Sequence, residues 1–157
     1  MGMESLDNRH RWLMTPDGCG AWSIHAPLKG GHVGQRLLWL ALAGALGTLS
    51  RYVLAGLAQR LAGASFPWGT LAVNGLGCFV FGVIWALSSE RFALGSEIRI
   101  VILVGFLGAF TTFSSAIAEF SQMALDAEWF RAMMYLIGGN ALGIGTFFVG
   151  SAIGRIV

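Results

Sequence analysis

Four long apolar stretches, each near the length of a membrane-crossing helix, constrain this chain more than any other feature. They run from about Leu37 to Leu57, Trp68 to Leu87, Ile98 to about Met123, and Ala132 to Ile153. Roughly 20 apolar residues in a helix cross a hydrocarbon core ~30 Å thick. In lipid every backbone amide needs a partner, and a helix supplies one within the segment itself. The expected fold is therefore an all-α membrane protein with four transmembrane helices. Composition agrees: 55% of the residues are hydrophobic and 11% are charged, against about a quarter charged in soluble domains.

At 157 residues the chain has room for one domain. Residues 1–34 read as a polar N-terminal tail, expected to be disordered, and 35–157 as the four-helix membrane domain. The tail lacks the apolar core of a signal peptide. The connections, Ala58 to Pro67, Ser88 to Glu97 and Ala124 to Arg131, are short. Pro67 suits the first turn of the second helix, and Trp68, Trp85, Trp129 and Tyr135 fall near segment ends, where amphipathic rings anchor.

Several function classes drop out. A formal charge of +2 without a basic run gives no nucleic-acid surface. Cys19 and Cys78 lie far apart, neither with a partner at metal-ligand spacing. His10, His25 and His32 all precede the first stretch, which removes a membrane-embedded histidine metal site. Nothing in the chain reads as a catalytic constellation. With four spans, Arg36, Arg91, Arg99 and Arg155 share one side with the tail's Arg9, Arg11 and Lys29, opposite Arg60 and Arg131. That leans towards cytoplasmic termini. Without the tail the bias is slight, and a chain of slight bias can insert both ways up.

Glycine is frequent, with 23 residues mostly inside the stretches. Gly139/Gly143 and Gly150/Gly154 have the small-xxx-small spacing that lets helix backbones approach in lipid. The third stretch is unusual in another way. Gly105-Phe106-Leu107-Gly108-Ala109-Phe110-Thr111-Thr112-Phe113-Ser114-Ser115 crowds glycines and hydroxyls into its centre without a charge. Such hydroxyls bond back to carbonyls and bend helices, and broken helices persist where they line a cavity or are covered by protein. Freed carbonyls then suit a cation and a helix N-terminus suits an anion. The plain alternative is that these hydroxyls only cement helix packing. Asn74, an amide inside the second stretch, marks packing glue or a pathway. Arg51 lies near the end of the first stretch and Glu119 two turns beyond the expected break in the third.

Three segments now resemble a known family. Ala43-Gly44-Ala45-Leu46-Gly47-Thr48-Leu49-Ser50-Arg51-Tyr52, Phe66-Pro67-Trp68-Gly69-Thr70-Leu71-Ala72-Val73-Asn74-Gly75-Leu76-Gly77, and Gly105 to Ser114 are similar, in order and spacing, to motifs of the CrcB/Fluc fluoride channels. The resemblance covers all four spans and excludes the tail. It implies a dual-topology antiparallel dimer in the cell inner (plasma) membrane, with the third helix broken mid-membrane. It implies passive fluoride efflux from the cytoplasm, relieving fluoride toxicity, and a structural sodium ion at the dimer centre.

Carried over by position, the backbone carbonyls of Gly108 and Thr111 would hold sodium. Asn74, Thr112, Phe113, Ser114, Ser115 and Tyr135 would line the fluoride pathway, supported by Arg51, Phe110 and Glu119. Three positions depart from the family pattern: Ala109 replaces a glycine, Ser115 replaces a threonine and keeps its hydroxyl, and Ala116 replaces a second pore phenylalanine. Ala116 motivates an alternative, a non-conducting subunit of a heterodimer with a paralogue. A small proton-coupled multidrug exporter is a further alternative; it would want a glutamate in the first span, which has no carboxylate.

Overall fold

The computed structural model describes residues 33–90 and 96–156. The tail's histidines, its basic residues and Cys19 lie outside these residues, as does Arg91. Among the described residues all regular structure is helical: α1 (Val33–Ala62), α2 (Trp68–Glu90), α3 (Ser96–Ile100), a π-helical segment (Val101–Leu107), α4 (Gly108–Phe110), α5 (Phe113–Leu125) and α6 (Trp129–Ile156). Four segments are long and apolar enough to cross a membrane: Val33–Ala62, Trp68–Ser88, Glu97–Leu125 and Trp129–Ile156. The helices outrun the apolar stretches because backbone hydrogen bonding continues into the polar interface. The first and third connections accordingly shrink to Gly63–Pro67 and Asp126–Glu128.

Both short turns have identifiable locks. Gly63 takes φ 96° after α1, and its N–H bonds Gln59 O at 3.0 Å, a left-handed C-terminal cap that glycine adopts without strain. The Gln59 side chain then closes the turn. Its Nε2 donates to Gly63 O (2.6 Å) and Phe66 O (2.8 Å), and its Oε1 accepts from Gly69 N (3.1 Å). After α5, Glu128 N bonds Met123 O (2.9 Å) and Ala127 N bonds Ala124 O (3.1 Å), the Schellman pattern. The left-handed residue there is Ala127, at φ 61°.

Glycines set the packing. A Cβ on Gly82 of α2 would lie 2.2 Å from Phe147 O of α6, and one on Gly150 of α6 would lie 2.1 Å from Phe79 O of α2. Gly154 meets Val83 O in the same way, at 2.6 Å. Thus α2 and α6 touch backbone to backbone, where dispersion and shape replace the hydrophobic effect as the cohesive force in lipid. Helix α1 approaches the π-helical segment as closely: a Cβ on Gly47 would lie 2.3 Å from Phe106 O. Val73, Leu107 and Phe110 form one buried cluster, and Met123, Ala132 and Tyr135 another. The remaining apolar bulk, including Leu49, Val53, Ile137, Ile144 and Phe148, faces outward, as a lipid solvent requires.

Candidate functional site

Between α4 and α5, Thr111 (φ −89°, ψ 157°) and Thr112 (φ −148°, ψ 112°) are extended. Local chemistry explains where the helix stops and restarts. Thr111 donates twice to Leu107 O, from its N–H at 3.0 Å and its Oγ1 at 3.1 Å. Thr112 is the N-cap of α5: its Oγ1 accepts from Ser115 N (3.2 Å) and donates to Ser115 Oγ (2.9 Å), with Ser114 Oγ at 3.3 Å. Threonine favours this position because its hydroxyl satisfies an orphan amide of the first turn. Gly77 of α2 makes room for the bend, since a Cβ there would lie 2.2 Å from Thr111 Cγ2.

Asn74 completes the arrangement from α2. Its Nδ2 donates to Thr112 O (3.0 Å) and its Oδ1 accepts from Thr112 N (2.8 Å). One side-chain amide therefore replaces both ladder partners of an extended residue. Two diversions follow. The N–H that a continuous helix would point at Gly108 O belongs to Thr112 and is spent on Asn74. The N–H that would serve Thr111 O belongs to Ser115 and is spent on Thr112 Oγ1. These two carbonyls lose their regular helical partners.

A second polar cluster lies farther along α5. Thr70 Oγ1 donates to Glu119 Oε1 at 2.6 Å, and Tyr135 OH donates to Glu119 Oε2. Both carboxyl oxygens are thus occupied from α2 and α6. Tyr135 is 2% exposed, with its ring edge-on to Phe66 at 5.5 Å. Replacing Thr70 with valine strands one carboxyl oxygen, at an expected cost of about 1–3 kcal/mol. Unfolding in a mixed-detergent titration measures it. A Thr70→Val/Glu119→Gln double variant should recover part of that loss; a purely additive cycle would dissociate the pair.

A groove of about 510 Å³ lies between α2, α6 and the interrupted third segment. Asn74, Gly108, Thr111, Thr112, Phe113 and Tyr135 line it, and so do Ala116 and Asn140. A second hollow of about 640 Å³, on the α1 side, is bordered by Arg51, Arg60, Thr70, Thr112 and Ser115. Thr112 borders both. Phe113 is 70% exposed. Phe110, by contrast, is 5% exposed and stacks on Phe106 at 5.9 Å within the core. Among the described residues no cluster of histidine, cysteine and carboxylate side chains could hold a metal.

Sequence reasoning missed three elements of the site. The π-helical turn before the interruption carries no motif of its own. Thr70 stood inside a quoted segment without being linked to Glu119, which is 49 positions away. Asn140 carried the same signal as Asn74, an amide inside an apolar stretch.

Four apolar helices with paired backbones and a groove lined without a charged side chain define an α-helical, multi-pass membrane protein. The profile of the family described as CrcB-like protein, Camphor Resistance (CrcB), matches residues 38–151, and the chain belongs to this family. It is 58% identical over 123 residues to the fluoride-specific ion channel FluC of Nitrosococcus oceani, covering 78% of this chain and 98% of that one. FluC proteins of Desulforapulum autotrophicum and Solidesulfovibrio magneticus are 45% and 46% identical, each over 78% of this chain and 98% of the relative.

Proposed function

We propose that this chain is a fluoride-selective channel of the plasma membrane, giving passive efflux, and that it works as an antiparallel dimer of broken-helix subunits. The observation that carries this reading is the interruption at Thr111–Thr112, which opens onto a mostly apolar groove where Asn74, Thr111, Thr112, Tyr135 and Asn140 place a few polar groups and no fixed cation. Fluoride holds its water shell tightly, so a pathway must offer replacement donors along its length. Thr112, Ser114 and Ser115 are clustered hydroxyls, and the positive N-terminal end of α5 opens beside them. An embedded lysine or arginine would hold the ion too long, because conduction needs weak binding at several sites. The exposed ring of Phe113 fits a wall shared with a second copy.

The same interruption suits a structural sodium ion. Gly108 O and Thr111 O are the carbonyls whose helical amides are diverted, and neutral oxygens are appropriate ligands for a hard monovalent cation. They also lie where the negative end of the first half-helix gathers. Sodium there would supply positive charge between facing carbonyls and tie two subunits together. The residues of this chain fit that role with backbone atoms alone.

The deciding experiment is fluoride efflux from liposomes containing the purified chain alone. Efflux selective for fluoride over chloride, and independent of a proton gradient, is expected. Silence of the chain alone with recovery on adding a paralogue would favour a heterodimeric subunit, the reading that Ala116 in the groove wall motivates. Silence in both arrangements would sink the channel reading.

A further inference from the structure

Asn140 is the polar side chain the preceding assignment leaves without a task. It stands on α6 about 17 Å from the helix start by the rise per residue, so it lies deep within a segment apolar enough to span lipid. It is exposed on the isolated subunit. Its Nδ2 donates one hydrogen to Leu136 O at 2.7 Å, which leaves the second N–H and the Oδ1 without a partner among the described residues. An amide in lipid with spare capacity is costly. Its surroundings show where that capacity is directed. Leu136, Gly139, Asn140, Gly143, Ile144 and Phe147 recur at helical spacing and all border the groove that holds Asn74 and Thr112. Gly139 and Gly143 carry no side chain, so the amide is flanked by side chains only at Leu136 and Ile144 on that stripe.

Asn74 cannot fill the same role as freely, because its Nδ2 and Oδ1 are both committed to Thr112. We propose that Asn140 is a second, ion-contacting amide of the groove, offering its free N–H to a small anion, while Asn74 acts as a positioning residue that holds the interruption open. The inference rests on the channel reading above and adds a residue to its pathway.

The test compares variants of the full chain in liposomes, with dimer content measured on the same samples by chemical cross-linking. Asn140→Leu is expected to lower fluoride efflux about tenfold or more, the effect of losing one hydrogen bond to an ion, with dimer content unchanged. Asn140→Gln keeps the N–H and should retain efflux within about threefold. Asn140→Cys, in a Cys19→Ser/Cys78→Ser chain, should be modified by a water-soluble thiol reagent, as a wet groove demands. A conducting wild-type chain with an equally conducting Asn140→Leu overturns this inference alone. Resistance of Asn140→Cys to the reagent, or loss of dimer in step with loss of flux, also overturns it in favour of interface packing. A wild-type chain that carries no fluoride overturns the channel reading and this inference with it.

Discussion

Asn74→Leu is expected to reduce fluoride efflux to background and to destabilise the fold by about 2–5 kcal/mol, the cost of stranding two part-buried backbone groups inside a membrane-spanning segment. The magnitude follows from the reciprocal pair with Thr112, in which one amide serves both N–H and C=O. Leucine is close in size and supplies neither partner, so an extended residue in a low-dielectric setting would lose both. Asn74→Asp separates the two halves of this effect. Its carboxyl can still accept from Thr112 N, but its second oxygen faces Thr112 O with no hydrogen to offer when ionised. Partial stability with near-complete loss of flux is therefore expected for aspartate. Liposome efflux and a detergent unfolding titration on the same preparations measure the two quantities. Wild-type flux in Asn74→Leu would remove Asn74 from both the clamp and the pathway.

The second large effect is expected at the α2–α6 contact. Gly150→Ala places a Cβ 2.1 Å from Phe79 O, and Gly82→Ala places one 2.2 Å from Phe147 O. Both obstructing atoms are backbone, so a rotamer change cannot relieve the clash; the helices must separate. Overpacking of a rigid interface costs about 1–3 kcal/mol and occasionally more, and the combined variant should fail to yield a monodisperse protein on gel filtration. Gly145→Ala is the control on the same helix, because a Cβ there has no neighbour within 4 Å. It is expected to behave as wild type. A Gly82→Ala/Gly150→Ala chain as stable as Gly145→Ala would mean that the two backbones do not meet.

The four spans were legible because lipid imposes one requirement, about 20 apolar residues, that needs no tertiary information. The tight role of Gly150 and Gly154 was legible from spacing, since residues four apart share a helix face. Which helix they meet was not, because the atoms they meet at Phe79 and Val83 are backbone, and glycines occur in several of the spans without marking which pair will join. The hydroxyl-rich segment was legible as an anomaly, and Thr111 and Thr112, the two extended residues, fall inside it. The pairing with Asn74 lay beyond reach, since 38 positions separate them and nothing local fixes the rotation of α2. Phe110 illustrates the same limit. In the sequence it reads as a supporting aromatic, and its packing could not be read from there: the turn of the π-helical segment sets it against Phe106 within its own chain. Side-chain direction after a wide helical turn is set by the turn, and no sequence period announces it.

The paired bonds between Asn74 and Thr112 have a consequence for how an ion can be moved. A transporter that alternates its access must slide or rock one helical element past another around the bound ion. Here α2 is fastened to the interruption at both faces of a single peptide residue, so a shift by even one position would break two bonds at once. Those two bonds hold the wall on that side in one register. Transport through it should carry the shallow temperature dependence of diffusion between fixed sites, and flux should keep rising with fluoride concentration well beyond the range in which a cycling carrier would already be limited by its own turnover.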